Sequence, residues 1–391
     1  MPTLLTGRRP VAIVACLAFL YLGWGGLLLP ALIRQVEADF GQTDAGMGLL
    51  FLIGAAAYGA GSLGGGAITE RVGRRPVLVA GAFLGGVGLV ALATVGAWPA
   101  FLLVGVPFSF GGGILDGGGN GLFLDLFPES RGRSLNSLHL FFSLGALASP
   151  VTAGVLVEAG VPWRSILLAT GAAAFVVAIL FALVDQPSGR HARSPDAADQ
   201  GRVALDPVLL ALGAAIAFYV ASEIGVSNWL VRFLDAPLGV ATTALTLFWA
   251  GLALGRFVAA RIGDRFDHGA LAAVSSVTAG LAILGAVVVP SVPVSIALFT
   301  LAGFGSGPVF PLIVAVGGER FPARSAAVGG LLTAAAVLGG LAYPPVMGFI
   351  SVAIGLPAAM IGTGVAALAS AAILVVVGRR SRGAELAGAA S

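Results

Sequence analysis

The chain repeats itself at a constant offset of 194 residues, without gaps, over most of each half. Glu70-Arg71 returns as Asp264-Arg265, Phe110-Gly111 as Phe304-Gly305, and Phe127-Pro128 as Phe321-Pro322. Gly145-Ala-Leu-Ala-Ser-Pro150 returns as Gly339-Gly-Leu-Ala-Tyr-Pro344, and Gly154 as Gly348. Solenoid repeats run to about 20–50 residues, so a longer offset marks two homologous half-molecules in tandem. In an apolar chain, two like halves predict a solute pathway between them.

The chain is apolar enough for that reading: 58% of its 391 residues are hydrophobic, 10% are charged, and the mean hydropathy is +1.01. No soluble domain has this composition. A run of about 20 apolar residues crosses a hydrocarbon core of about 30 Å. Twelve such runs can be placed, at 10–33, 46–68, 76–96, 99–126, 135–158, 163–184, 207–231, 240–261, 269–289, 293–317, 325–353 and 356–378. The first follows Arg8-Arg9 as a signal peptide would. Its length and the lack of a small-residue cleavage site predict a retained first helix instead.

The expected fold is therefore an all-α membrane protein with 12 transmembrane helices in two pseudo-symmetric six-helix bundles. The bundles are expected at 1–184 and 207–378, joined by a polar cytoplasmic linker at 185–206 and followed by a cytoplasmic tail at 379–391. All 21 basic residues are arginine; 17 fall on one side of the predicted membrane, and Arg34, Arg164 and Arg232 on the other. Arg256 lies within a span. This bias places both termini in the cytoplasm of a cell (inner) membrane protein. It also accounts for a pI near 9.6 without a nucleic-acid partner. Cys16 is the single cysteine, so neither an internal disulfide nor a thiolate metal cluster is expected. The loops leave no room for a catalytic domain.

Between the second and third spans, Gly66-Ala-Ile-Thr-Glu70-Arg71-Val-Gly73-Arg74-Arg75 resembles the loop signature of the major facilitator superfamily, with Glu in place of the usual Asp. The second half keeps only Asp264-Arg265 of it. The resemblance implies a conformational latch made by Gly66, Glu70, Arg71, Gly73, Arg74, Arg75, Asp264 and Arg265. Physically, an acid and arginines in a tight loop can form a charge network with nearby helix ends, or can serve only to set topology. Further strings resemble the fucose permease-like sugar symporters. They are Gly111-Gly-Gly-Ile-Leu-Asp116-Gly-Gly-Gly-Asn120 in the fourth span and Asn136-Ser-Leu-His139 in the fifth. Tyr219-Val-Ala-Ser-Glu223 in the seventh and Phe248-Trp249-Ala-Gly251 before Gly255-Arg256 in the eighth complete the set. Those relatives import hexoses and related solutes with protons or sodium. One departure is that the first span, Val11 to Leu29, carries no acid, which makes fucose itself an unsafe expectation.

The candidate site residues also follow from energetics. A carboxylate at the bilayer centre costs about 2.5–3.5 kcal/mol, so it usually faces a cavity, a partner or a proton path. Asp116 is such a group, and Asn120 lies one turn on, pointing the same way. Asp116 is expected to carry a proton or touch substrate, a structural acid between helices being the alternative. Glu223 is the second embedded acid, with the same two readings. Arg256 either snorkels to the inner surface or faces the cavity, where Asp116 is the better partner because Glu223 looks vertically too distant. His139, three residues after Asn136, either relays protons or is satisfied locally. Tyr21, Trp24, Tyr219, Asn228 and Trp229 are candidates for a wall that stacks on and hydrogen-bonds to a sugar, Trp229 being the weakest, and Trp249 joins Asp116, Asn120, Asn136, His139, Glu223 and Arg256 as a further substrate-binding candidate. Asp125 and Glu129, at an inner helix end, read as ordinary solvated carboxylates. Gly303, Gly305, Gly307-Pro308 and Pro311 give the tenth span the look of a broken gating helix.

Proton coupling is assigned to Asp116, Glu223 and His139, and no cofactor or metal is expected. The expected partners are a small-molecule solute, a coupling ion (proton, with sodium as the alternative) and the lipid bilayer, around a monomer. Three functional classes remain. The favoured one is a secondary transporter importing a small polar, sugar-like solute by alternating access as a proton symporter. A drug or metabolite efflux antiporter is supported by Gly145 to Gly154, close to an exporter motif, and opposed by Pro107 where exporters carry arginine. A lipid mover on the same fold is the third. An enzyme is not expected, because no nucleophile stands beside a base at workable spacing.

Overall fold

The computed structural model describes residues 6–129, 131–187, 206–321 and 325–389. It contains twelve helices long and apolar enough to cross a membrane, numbered here α1 to α12. They are α1 Arg8–Ala31, α2 Asp44–Val72, α3 Arg74–Thr94, α4 Trp98–Leu126, α5 Ser137–Glu158, α6 Trp163–Leu183, α7 Pro207–Phe233, α8 Leu238–Ile262, α9 His268–Val288, α10 Val292–Arg320, α11 Val328–Ile354 and α12 Leu356–Arg379. Helices are the natural outcome for such runs, since a bilayer offers no water and each helix satisfies its own backbone polar groups.

Helix ends follow local chemistry. Asp206 caps α7 by accepting from Val208 N at 2.8 Å, and Asp267 caps α9 by accepting from Ala270 N at 2.7 Å. Gly73 joins α2 to α3 with φ of 92°, a left-handed geometry that disfavours any residue with a Cβ. Two helices are interrupted: α4 at Gly105, ahead of Pro107, and α10 between Ser306 and Val309, at Gly307-Pro308. Pro308 and Pro311 supply no N–H, so the carbonyls of Phe304 and Gly307, four residues back, lose their helical donors.

The described residues divide into two compact units. One holds α1 to α6 together with Leu238–Thr246; the other holds Pro207–Pro237 and the chain from Leu247 on. In the first unit α1 packs along α5, α2 along α4, and α3 against α4 and α6. In the second, α7 packs along α11 and α12, and α9 against α10 and α12.

The repeat is written into the packing of each unit. A Cβ on Gly61 would lie 2.1 Å from the Phe110 carbonyl oxygen, and one on Gly255, its counterpart, 2.1 Å from that of Phe304. Gly113 and Gly307 match in the same way, at 2.0 Å from Tyr58 O and 2.2 Å from Leu252 O. Each pair lets two backbones touch where any side chain would hold them apart. The glycine run of α4 is thus spent on packing: Gly113 and Gly117 seat α2, and Gly119 seats Phe19 of α1.

The symmetry is broken at the first helix of each unit. α7 packs closely along α12, whereas α1 touches α6 more sparsely. The space left between α1 and α6 is an apolar groove of about 540 Å³, lined by Leu17, Leu20, Tyr21, Trp24, Ile166 and Leu180 among others.

Candidate functional site

In the first unit, three helices bring a chain of polar groups together inside the membrane span. Asn120 Nδ2 donates to Asp116 Oδ1 at 3.0 Å, across one turn of α4. The Tyr58 hydroxyl of α2 hydrogen-bonds to the same carboxylate. Asn120 Oδ1 lies 3.1 Å from Nε2 of His139 on α5. With Asp116 ionised, its oxygens only accept, which sets the amide orientation of Asn120. The Asn120 oxygen then accepts in turn, so the proton of His139 is on Nε2. The imidazole is exposed, its ring centroid 5.4 Å from that of Phe19 with the two planes nearly perpendicular.

The geometry thus runs from an exposed imidazole, through an amide, to a carboxylate held by a half-buried phenol. It can store a proton on Asp116 and exchange it by way of His139. Tyr58 was not among the sequence candidates. Its only signal is a lone hydroxyl in the small-residue stretch Gly54 to Gly61, and the helical phase that aims it at α4 is not visible in one sequence.

In the second unit the Tyr219 hydroxyl donates to Glu223 Oε2, one turn apart on α7, and Ser227 Oγ donates to the Glu223 carbonyl at 2.8 Å. Glu223 is buried. The positive charge of Arg256 on α8 acts on its carboxylate, without closing an ion pair within 4.0 Å among the described residues. Arg256 does not run out along α8 to the surface. Its Nε donates to the Gly307 carbonyl at 3.2 Å, one of the two carbonyls left without a helical donor at the break in α10.

The remaining candidates stand apart from these clusters. Trp24 Nε1 donates to Thr170 Oγ1 of α6 at 3.0 Å. Tyr21 is buried, its hydroxyl over Gly85 of α3 with no hydrogen-bond partner among the described residues. Both border the α1–α6 groove, while Phe19 is the α1 residue that touches His139. Trp229 and Trp249 are buried, and Asn228 is half-buried on α7. The side chain of Asn136 lies outside the described residues.

At the loop signature, Arg74 Nη1 pairs with Asp125 Oδ2 of α4 at 2.7 Å, the guanidinium buried at 6% exposure. Arg75 donates to the Ala182 carbonyl of α6. Glu70 and Arg71 are exposed, and a Cβ on Gly66 would meet nothing within 4 Å. Arg265 is exposed as well, while the side chain of Asp264 is outside the described residues. Asp125 is therefore not the ordinary solvated carboxylate its place near a helix end suggests: Arg74 folds back over it. Glu129, read the same way, pairs with Arg8 at 2.8 Å in an exposed position.

Comparison with known proteins agrees with this architecture. The family model of the Major Facilitator Superfamily matches residues 13–237 and again 209–390. A stretch of 151 residues, 38% of the chain, is 30% identical to sodium-dependent glucose transporter 1 of Danio rerio, and spans 25% of that protein's length. A bacterial homologue of the human lysosomal transporter Spinster, inward-facing and occupied, superposes with a TM-score of 0.78 at 16% identity, over 95% of this chain and 97% of that one. The nucleoside transporter NupG (D323A mutant) does so with a TM-score of 0.76 at 14% identity, over 95% and 98%. The shared fold, the tandem repeat and a family match along nearly the whole chain lead to one conclusion: this chain belongs to the Major Facilitator Superfamily, as a multi-pass membrane transporter and not an enzyme.

Proposed function

We propose that this protein is a proton symporter that imports a small polar, sugar-like solute by alternating access, with Asp116 and Glu223 as its proton-carrying groups. The observation that carries the reading is the chain Tyr58–Asp116–Asn120–His139, which keeps a carboxylate inside an apolar span and connects it to an exposed imidazole. A group so placed is costly unless it serves a pathway. The sugar assignment is supported by the partial likeness to a sodium-dependent glucose transporter. In this reading the protein is a monomer in the cell membrane with both termini in the cytoplasm, as the arginine bias favours. The loop signature, through Arg74, Arg75 and Asp125, is the latch that biases one state over the other.

The test uses purified protein in liposomes holding a pH dye, challenged with hexoses, pentoses and sugar acids under an inward proton gradient. Solute-driven acidification that is abolished by Asp116→Asn is expected. Solute flux driven by sodium and indifferent to pH would replace the proton with sodium. Absence of flux in both gradients, from folded protein, would rule out import.

A further inference from the structure

We propose that the solute is an anion carrying a carboxylate, that Arg256 is the group that takes it, and that the proton entering with it sits on Glu223. This rests on the proton-symport reading and narrows its substrate class.

The reasoning starts at the break in α10. Because Pro311 has no N–H, the Gly307 carbonyl needs an outside donor, and the Arg256 Nε–H supplies it at 3.2 Å. Packing leaves little play in this contact, since a Cβ on Gly307 would lie 2.9 Å from Arg256 N. One edge of the guanidinium is thereby fixed. Its two terminal amines have no hydrogen-bond or ion-pair partner among the described residues, and the residue is half-buried within a membrane span. A planar fork of free N–H groups, held in place from behind, is the geometry that receives a carboxylate bidentately.

An arginine inside a membrane needs a counter-charge. The charged groups on the elements around it are few. α7 carries Glu223 and, in its last turn, Arg232; α10 carries charge only at its C-terminal end, in Glu319 and Arg320; the α11 and α12 spans carry none up to Arg379. The titratable hydroxyls are Tyr219, which donates to Glu223, and Tyr343, which donates to the Ala359 carbonyl at 2.9 Å. Among the described residues of these elements, Glu223 is thus the acid coupled to Arg256, and the two do not close an ion pair.

The consequence is a choice between two states of one charge balance. With the fork empty, ionised Glu223 offsets Arg256. When a carboxylate enters the fork, a second negative charge beside Glu223 is disfavoured, and Glu223 takes a proton. Tyr219 can serve both forms, because its hydroxyl accepts from a protonated acid as well as donating to an ionised one. Anion and proton then bind together, each raising the other's affinity, and the occupied site carries the same net charge as the empty one. A neutral sugar has no such claim on the proton.

The experiment is equilibrium binding of D-gluconate and D-glucose to the purified full-length protein between pH 5.5 and 8.5, in the wild type, Arg256→Gln, Arg256→Lys and Glu223→Gln. Gluconate is ionised across this range, so any pH dependence belongs to the protein. The wild type should bind gluconate about tenfold more tightly per unit fall in pH on the alkaline side, as one linked proton requires. Glu223→Gln should bind it with no pH dependence, and Arg256→Gln should lose it by at least about tenfold, with Arg256→Lys between. pH-independent gluconate binding in the wild type, or unchanged binding in Arg256→Gln, overturns the proposal. Should Arg256→Gln fail to fold, Glu223→Gln decides alone. Proton symport of glucose without gluconate binding would overturn this inference and leave the proton-symport reading standing; no proton-coupled flux of any solute would remove both.

Discussion

His268 Nδ1 lies 2.6 Å from Glu319 Oε1, and these two residues stand 194 positions beyond Arg74 and Asp125, whose own ion pair closes at 2.7 Å. Each half thus ties the start of one helix, α3 or α9, to the C-terminal end of the next, α4 or α10. The chemistry of the tie has diverged. A guanidinium is charged at any pH the protein meets, whereas an imidazole loses its charge as pH rises through neutrality.

Glu319 is 61% exposed and His268 22%, so the His268–Glu319 tie contributes under about 1 kcal/mol. Replacing Glu319 with Gln should therefore lower the melting temperature only slightly, by less than Asp125→Asn does. A loss as large as that of Asp125→Asn would show that exposure does not set the strength of these two ties.

The Arg74–Asp125 tie is the stronger of the two, because the guanidinium is buried. Asp125→Asn strands a buried charge, at a cost of roughly 2–4 kcal/mol. The same change at Glu129, whose pair with Arg8 is exposed at both ends, should cost less than about 1 kcal/mol. Paired melting curves of the two variants make the comparison; equal losses would contradict the burial difference.

The elements were more legible in the sequence than the site. Apolar runs alone placed the spans within a few residues of the observed helices, as 356–378 against Leu356–Arg379 illustrates, because a bilayer dictates length and polarity together. The repeat was legible too, since Gly61 and Gly255 must keep their partners' backbones in contact. Rotational phase was not. Tyr21 and Phe19 are two residues apart, about 200° round the helix, so one faces α3 and the other His139. Side-chain reach was equally hidden: Arg256, close to the C-terminal end of α8, turns to a carbonyl orphaned by a proline on another helix.

Tyr58 offers a direct check on the first-unit cluster. Its hydroxyl donates to Asp116. In Tyr58→Phe the carboxylate loses that donor, and proton-coupled solute uptake should fall by about tenfold, on the scale of one hydrogen bond to a charged group. Solute exchange without a proton gradient should fall less, because it does not need the proton to leave Asp116. Equal losses in the two assays would mean that Tyr58 only packs against α4.

Glycines that look alike in the sequence should respond unequally to one added methyl. At Gly113 the new Cβ would fall 2.0 Å from Tyr58 O, and at Gly307 2.2 Å from Leu252 O, in each case against backbone that cannot turn aside. The helices must separate, at about 1–3 kcal/mol for such overpacking. At Gly66 the methyl meets open space, and alanine is the better helix former, so Gly66→Ala should be neutral or slightly stabilising. Gly113→Ala carries a second effect, because moving α2 from α4 also carries Tyr58 from Asp116; Gly307→Ala carries its own, by shifting the carbonyl that holds Arg256. Both should therefore lose transport more steeply than stability, whereas Gly66→Ala should lose neither. Melting temperature and initial transport rate, read on the same three preparations, separate these outcomes. Full activity in Gly113→Ala would mean that the close approach of α2 and α4 is not what keeps the Asp116 cluster assembled.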